Sequence, residues 1–120
     1  MPTRARSDQG AATAELALGI PLLVALTAGL VWMLAVGAAQ VRVIDASREA
    51  ARAVARGDDP AAAQAVAVRI APDGARVRLE VGEGRVVVTT SARVSGPGGL
   101  LGALPGVTVT ADAVAVVEKS

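Results

Sequence analysis

The chain has 120 residues, 52% of them apolar, yet Trp32 is its only aromatic residue, so any core must be built from Val, Ala and Leu. Cysteine and histidine are both absent, which excludes disulfides, thiolate metal sites and any nucleophile that relies on an imidazole base. A formal net charge of +1 carries no basic excess of the kind nucleic acid requires. An enzyme finds no supporting constellation, and no cofactor, metal or nucleic-acid partner is expected.

Residues 1–10, MPTRARSDQG, form a short polar leader with Arg4 and Arg6 ahead of an apolar run. Between Glu15 and Arg42 there are 26 residues without a charged side chain. As an α-helix that stretch would reach about 39 Å, more than the ~30 Å hydrocarbon core of a bilayer. A single isolated segment can cross lipid only as a helix, because every backbone N–H and C=O must be paired within it. Residues 11–41 therefore read as a tilted membrane-spanning helix, with lipid as a partner. The arginines of the leader favour a cytoplasmic N-terminus. Arg42, Arg48, Arg52 and Arg56 on the far flank keep charge counting alone from settling the orientation.

Inside the run, Pro21 removes one backbone donor and should kink the helix in its N-terminal third. Ala25, Gly29 and Gly37 place small residues on roughly one stripe, which permits close helix approach. Trp32 falls deep within the run and not at its edge.

From Val41 onward the pattern changes. Arg42, Asp45, Glu49, Arg52 and Arg56 recur every three or four residues, and Val41, Ile44, Ala51, Val54 and Ala55 are expected opposite them. Residues 42–57 thus read as an amphipathic continuation of the same helix, with Glu49 and Arg52 as an i,i+3 pair. The charged strip reads first as a solvated face.

Gly57 is a C-terminal stop. Asp59 is expected to cap a second helix over 61–71, with Pro60 at its first position, and Val66 and Ile70 facing a sheet. Pro72-Asp73-Gly74 is a turn. Ala75–Val81 alternates charged and apolar residues as a half-buried strand does. Gly82-Glu83-Gly84 should close a hairpin with Arg85–Ser95, whose Val86, Val88, Thr90, Ala92 and Val94 share one face. Residues 96–106, GPGGLLGALPG, read as a loop. Its Leu100, Leu101 and Leu104 either contact another subunit or fold under the sheet. Val107–Val117 is a third strand.

The fold class is α+β. A long membrane helix continues into an amphipathic one, followed by a short helix and a small three-stranded antiparallel sheet. Residues 58–120 make a small domain that is marginal alone, so it should lie against the outer half of the long helix.

Two glycine pairs fail as phosphate loops. Gly82–Gly84 and Gly96–Gly98 both lack the third glycine, the strand-to-helix setting and the acid about twenty residues on. Asp58, Asp59 and Asp73 lack the ligand spacing of a calcium loop.

Glu15 is different. An acid in the first turn of a helix is favoured by the dipole, but that alone leaves the surrounding order unexplained: a basic leader, a glycine, four small residues, one carboxylate, then an uninterrupted apolar helix. A cut after Gly10 would give Ala11 a new α-amine with a pKa of about 8. In a stack of such helices, Glu15 of one subunit could neutralise that amine on its neighbour, because a carboxylate in apolar surroundings is costly unless paired.

The run Gly10-Ala11-Ala12-Thr13-Ala14-Glu15-Leu16-Ala17-Leu18, with Pro21 beyond it, resembles prepilins of the type IV filament superfamily. It is most similar to the TadE-like minor pilins, or pseudopilins, of tight-adherence (Flp-type) pilus systems. Ala46–Gly57, ASREAARAVARG, resembles that family's helix end. The resemblance covers residues 4–57. It implies that Gly10 ends a leader, that a prepilin peptidase cuts between Gly10 and Ala11, and that Glu15 is the fifth mature residue and sets assembly register. It also implies other pilin subunits and the pilus assembly machinery as partners. The location would be the cytoplasmic membrane, single-pass with the C-terminal domain outside, and the cell-surface pilus after assembly.

This chain departs from the family pattern at Leu16, where an aromatic usually stands, at Ala50 in place of a glycine, and in carrying Asp8 and Gln9 beside the cut. Without residues 1–10 it would hold ten basic and ten acidic side chains. Two rivals stand beside this reading. One is an unprocessed membrane-anchored binding or structural module. The other is a domain secreted by cleavage near Val36-Gly37-Ala38, although the apolar run exceeds the usual signal template.

Overall fold

The computed structural model describes residues 2–96 and 106–117. Leu100, Leu101 and Leu104 lie outside the described residues, so the choice between their two readings stays open. One helix, α1 (Pro2–Ala55), runs without interruption through Pro21 and gives the molecule its long axis of 92 Å. Leader, apolar run and amphipathic continuation are thus segments of a single rod.

α1 ends where the sequence supplies a residue free to take positive φ. Gly57 adopts φ +100, its N–H bonds Val54 O, and the N–H of Asp58 bonds Ala53 O, both at 3.0 Å. These two bonds form a Schellman stop that satisfies carbonyls the helix would leave orphaned. α2 (Pro60–Ile70) follows, with Pro60 at its start and Asp59 at the N-cap position. The Asp59 side chain makes no capping bond, so the expected cap is one of position only.

Three strands complete the fold: β1 (Arg76–Gly82), β2 (Arg85–Val94) and β3 (Val107–Val116). They form one antiparallel sheet in the order β1-β2-β3. Gly74 (φ +77) and Gly84 (φ +80) make the two turns at the ends of β1, and pairing of Gly82 with Arg85 closes the hairpin. β3 rises along α1 from Val107 at the foot to Val116 at the tip.

The inner face of the sheet rests on the upper half of α1, as the alternation in β2 requires. Val86, Val88, Thr90 and Ala92 are buried, while Arg85 and Arg93 are exposed. The core is small-residue packing. Above, Ala46, Ala50 and Val54 of α1 meet Ala63 and Ala67 of α2 together with Val86 and Val88. Below, Ala39 and Val43 meet Ala92 and Val109.

Two expected faces hold only in part: Ala51 and Val54 are buried as the spacing predicts, and Ile44 and Ala55 are half-buried. Val41 is 58% exposed, whereas Val43, Ala46 and Ala50 are fully buried. The buried stripe is wider than the charge spacing implied because α1 is covered on two sides, by the sheet and by α2. Within α2, Ala63 and Ala67 are the buried residues. Val66 and Ile70 are only half-buried, because α2 packs chiefly on α1 and only lightly on β1. Alanine faces alanine there, and two helices can then approach closely.

Candidate assembly and processing site

The lower half of α1 carries the residues singled out by the sequence. Gly10, Ala11 and Glu15 all lie on the unbroken helix and are exposed. A Cβ placed on Gly10 would meet nothing within 4 Å, and its backbone is ordinary helix. No contact or strained dihedral in this fold calls for glycine at position 10. The same openness holds at Gly19, Gly29 and Gly37, so it is the sequence pattern and not the fold that singles out Gly10.

Ala11 and Glu15 stand four apart, which puts them on one helix face a single turn from each other. Among the described residues Glu15 has no ionic partner, since the ion pairs there join only Glu49, Arg52, Arg56 and Asp58. Above it the helix presents a bare apolar cylinder: Leu18 is 76% exposed and Leu34 is 74% exposed. The polar interruption Thr27 turns its hydroxyl back to donate to Leu23 O at 2.8 Å, as Thr13 does to Gln9 O at 2.9 Å. Neither hydroxyl proton is left for a solvent to satisfy, which is what lipid demands. By length and hydropathy α1 carries the one candidate membrane span among the described residues, and its most apolar stretch is barely buried by the protein itself.

The upper half of α1 holds the fold's most specific polar contact, and the sequence reading missed it. The Ser47 hydroxyl is fully buried, 2.7 Å from Thr90 Oγ1 on β2 and 3.0 Å from Ala111 O on β3. One helix residue is thereby tied to two strands, fixing the axial and rotational register of the sheet on the rod. Its signal was available: Val43, Ser47, Ala50 and Val54 follow the helical repeat, so Ser47 lies on the packed face and needs a partner there. Gln40 adds a longer bond to Thr110 O at 3.3 Å.

The charged strip stays at the surface, as expected. Glu49 lies 3.9 Å from Arg52 and 4.0 Å from Arg56, and Arg56 approaches Asp58 at 3.1 Å. These groups are between 39% and 69% exposed, so each pair contributes only a few tenths of a kcal/mol. No group of metal-ligating side chains is assembled among the described residues. Gly82 and Gly84 sit in a strand-to-strand turn, which removes the phosphate-loop geometry altogether.

A protein-family model now bears on this helix. Residues 10–52 match the family described as TadE-like protein. The match opens on Gly10, passes through Glu15 and the apolar run, and closes on Arg52 in the last turn of α1. It agrees with the resemblance read from the residues, and it covers the rod and not the sheet. No curated protein and no solved structure matches the chain. The matched segment is a helix with an acid near one end and a small-residue face, pinned by Ser47, near the other. The sheet that completes this chain's core lies outside the matched residues.

Proposed function

We propose that this chain is a minor pilin of a Tad (Flp-type) pilus, a structural subunit and not a catalyst. It waits in the cytoplasmic membrane on α1 with the sheet domain outside, and acts in pilus assembly, priming or surface adhesion. A prepilin peptidase cuts between Gly10 and Ala11. The carboxylate of Glu15 then meets the new α-amine of a neighbouring subunit, and that pair sets the stagger between protomers. Because Ala11 and Glu15 share one stripe, helices stacked along it can exchange partners without turning.

The observation that carries this reading is the TadE-like match beginning on Gly10, a glycine with open space around it. Further support comes from the bare cylinder between Glu15 and Val36. The unbroken course of α1 through Ala38 also favours retention of the whole helix over secretion, since Ala39 is buried in the domain's core.

The test is the mass and N-terminal sequence of the protein recovered from cells that contain the peptidase. The expected product starts at Ala11, and Gly10→Ser should accumulate as full-length precursor. An intact Met1 start in an assembled pilus complex, or indifference to Gly10→Ser, would leave the unprocessed membrane anchor as the better reading.

A further inference from the structure

The foot of the sheet has a composition different from the rest of the domain. Trp32, Met33 and Val36 of α1 and Val107 of β3 surround a shallow hollow of about 250 Å³, and Val107 is 40% exposed on it. On the outer face Arg93 stands one residue higher, opposite Thr108, and Arg76 three residues higher, opposite Ser91. With Gly74 and Ala92 these four line a second hollow of about 430 Å³ that contains no acid. Neither arginine has an ion pair among the described residues. Asp73 lies in the turn before Arg76, Arg69 is in the last turn of α2, and Asp112 lies two residues beyond Thr110 on β3.

We infer that this foot is a seat for the headgroup layer of an anionic phospholipid bilayer, resting on the reading that α1 spans the membrane. Height is the first argument. From Leu16, just past Glu15, to Val36, where the sheet begins to cover α1, the helix rises about 30 Å, matching a hydrocarbon core of ~30 Å. The foot of the sheet therefore meets the outer boundary of the lipid. Trp32 lies one turn below that boundary and lines the hollow with Val107, its indole N–H buried without a partner among the described residues.

Charge is the second argument. With about 3.3 Å per strand residue, Arg93 stands about 3 Å and Arg76 about 10 Å above the Val94–Val107 foot. The Arg93 side chain lies against Gly106 at the foot, and the Arg76 side chain is long enough to span the few ångströms to a headgroup layer about 5–8 Å deep. The exposed apolar residues sit where acyl chains begin, and the two arginines sit where phosphates lie. Continuity is the third argument, because the apolar hollow is an extension of the helix surface already assigned to lipid.

The cysteine-free sequence suits single spin labels on the full chain. Leu23→Cys, Val107→Cys and Val116→Cys would be reconstituted in phosphatidylcholine vesicles with and without phosphatidylglycerol. The readout is accessibility to oxygen relative to a water-soluble nickel complex. The expected ratio is lipid-like at position 23 and aqueous at 116. At position 107 it should be several-fold above that at 116, and phosphatidylglycerol should raise it further. Arg76→Gln with Arg93→Gln, both on the exposed face, should abolish that further rise. A label at 107 as aqueous as at 116, with 23 lipid-like, overturns the seat and leaves the span intact. A rise that is absent, or that survives the double substitution, overturns the headgroup assignment. An aqueous label at 23 removes the span itself, and the seat with it.

Discussion

The two halves of α1 are both apolar, yet they are built for different surroundings. Seven leucines lie between residues 16 and 36, and none lies between 37 and 57, where alanine takes over. In the lower half the large side chains stand out from the rod, as Leu18 and Leu34 do. In the upper half Ala46 and Ala50 are fully buried beneath the sheet and α2. Fluid acyl chains conform to whatever the helix presents, so bulk there is harmless and adds apolar contact. A sheet and a second helix must fit a fixed surface at close range, so the residues shrink.

That comparison fails first, if it fails, at Glu15. Glu15→Ala should leave cleavage after Gly10 intact but exclude the subunit from pili, a near-complete loss read by immunoblot of sheared filaments. Normal piliation would show that the lower half needs no charge code. Next comes size. Ala50→Leu forces a branched side chain into the alanine interface and should cost the domain about 3 kcal/mol. Urea unfolding in detergent, followed by circular dichroism, measures it. Leu23→Ala, on the bare cylinder, should leave that transition unmoved. An equal loss from both would mean that the halves are not distinct environments.

The buried polar pin should matter less than overpacking but more than any surface charge. Ser47→Ala leaves Thr90 without its hydroxyl partner and should cost about 1–2 kcal/mol in the same unfolding assay. Smallest of all is Glu49→Gln on the exposed strip, expected to change stability by under about 0.5 kcal/mol, with that difference vanishing at high salt. A larger loss would turn the solvated face into a structural one.

Several elements were legible because one local rule governs each. The strand alternation of Val86, Val88, Thr90 and Ala92 gave the correct inner face, since side-chain direction in a strand depends only on residue parity. Gly57 and the Gly82–Arg85 hairpin followed from the glycine freedom to take positive φ. The helix face over 42–57 was harder. Charge spacing marks where water is, but the buried arc depends on how many partners cover the helix, and α2 is a second one. Val66 was expected against the sheet for a similar reason: nothing in an eleven-residue helix says which of two neighbours it will lie on. For the candidate site, Gly10, Ala11 and Glu15 were readable as a linear pattern, and the fold added only that they are exposed on one rod.

The chain's sequence determined by itself that there is a long apolar helix with one acid at its mouth, a sharp stop at Gly57 and three alternating strands. Those follow from hydropathy, period and backbone freedom, which are properties of neighbours along the chain. Tertiary structure alone decided that the sheet packs on α1 from Val36 upward. It thereby set Trp32 beside Val107 at the foot of the sheet, and gave Ser47 two strands to hold. Those outcomes depend on which distant surfaces meet, and they are set by alanine-sized contacts too small to declare themselves in a pattern.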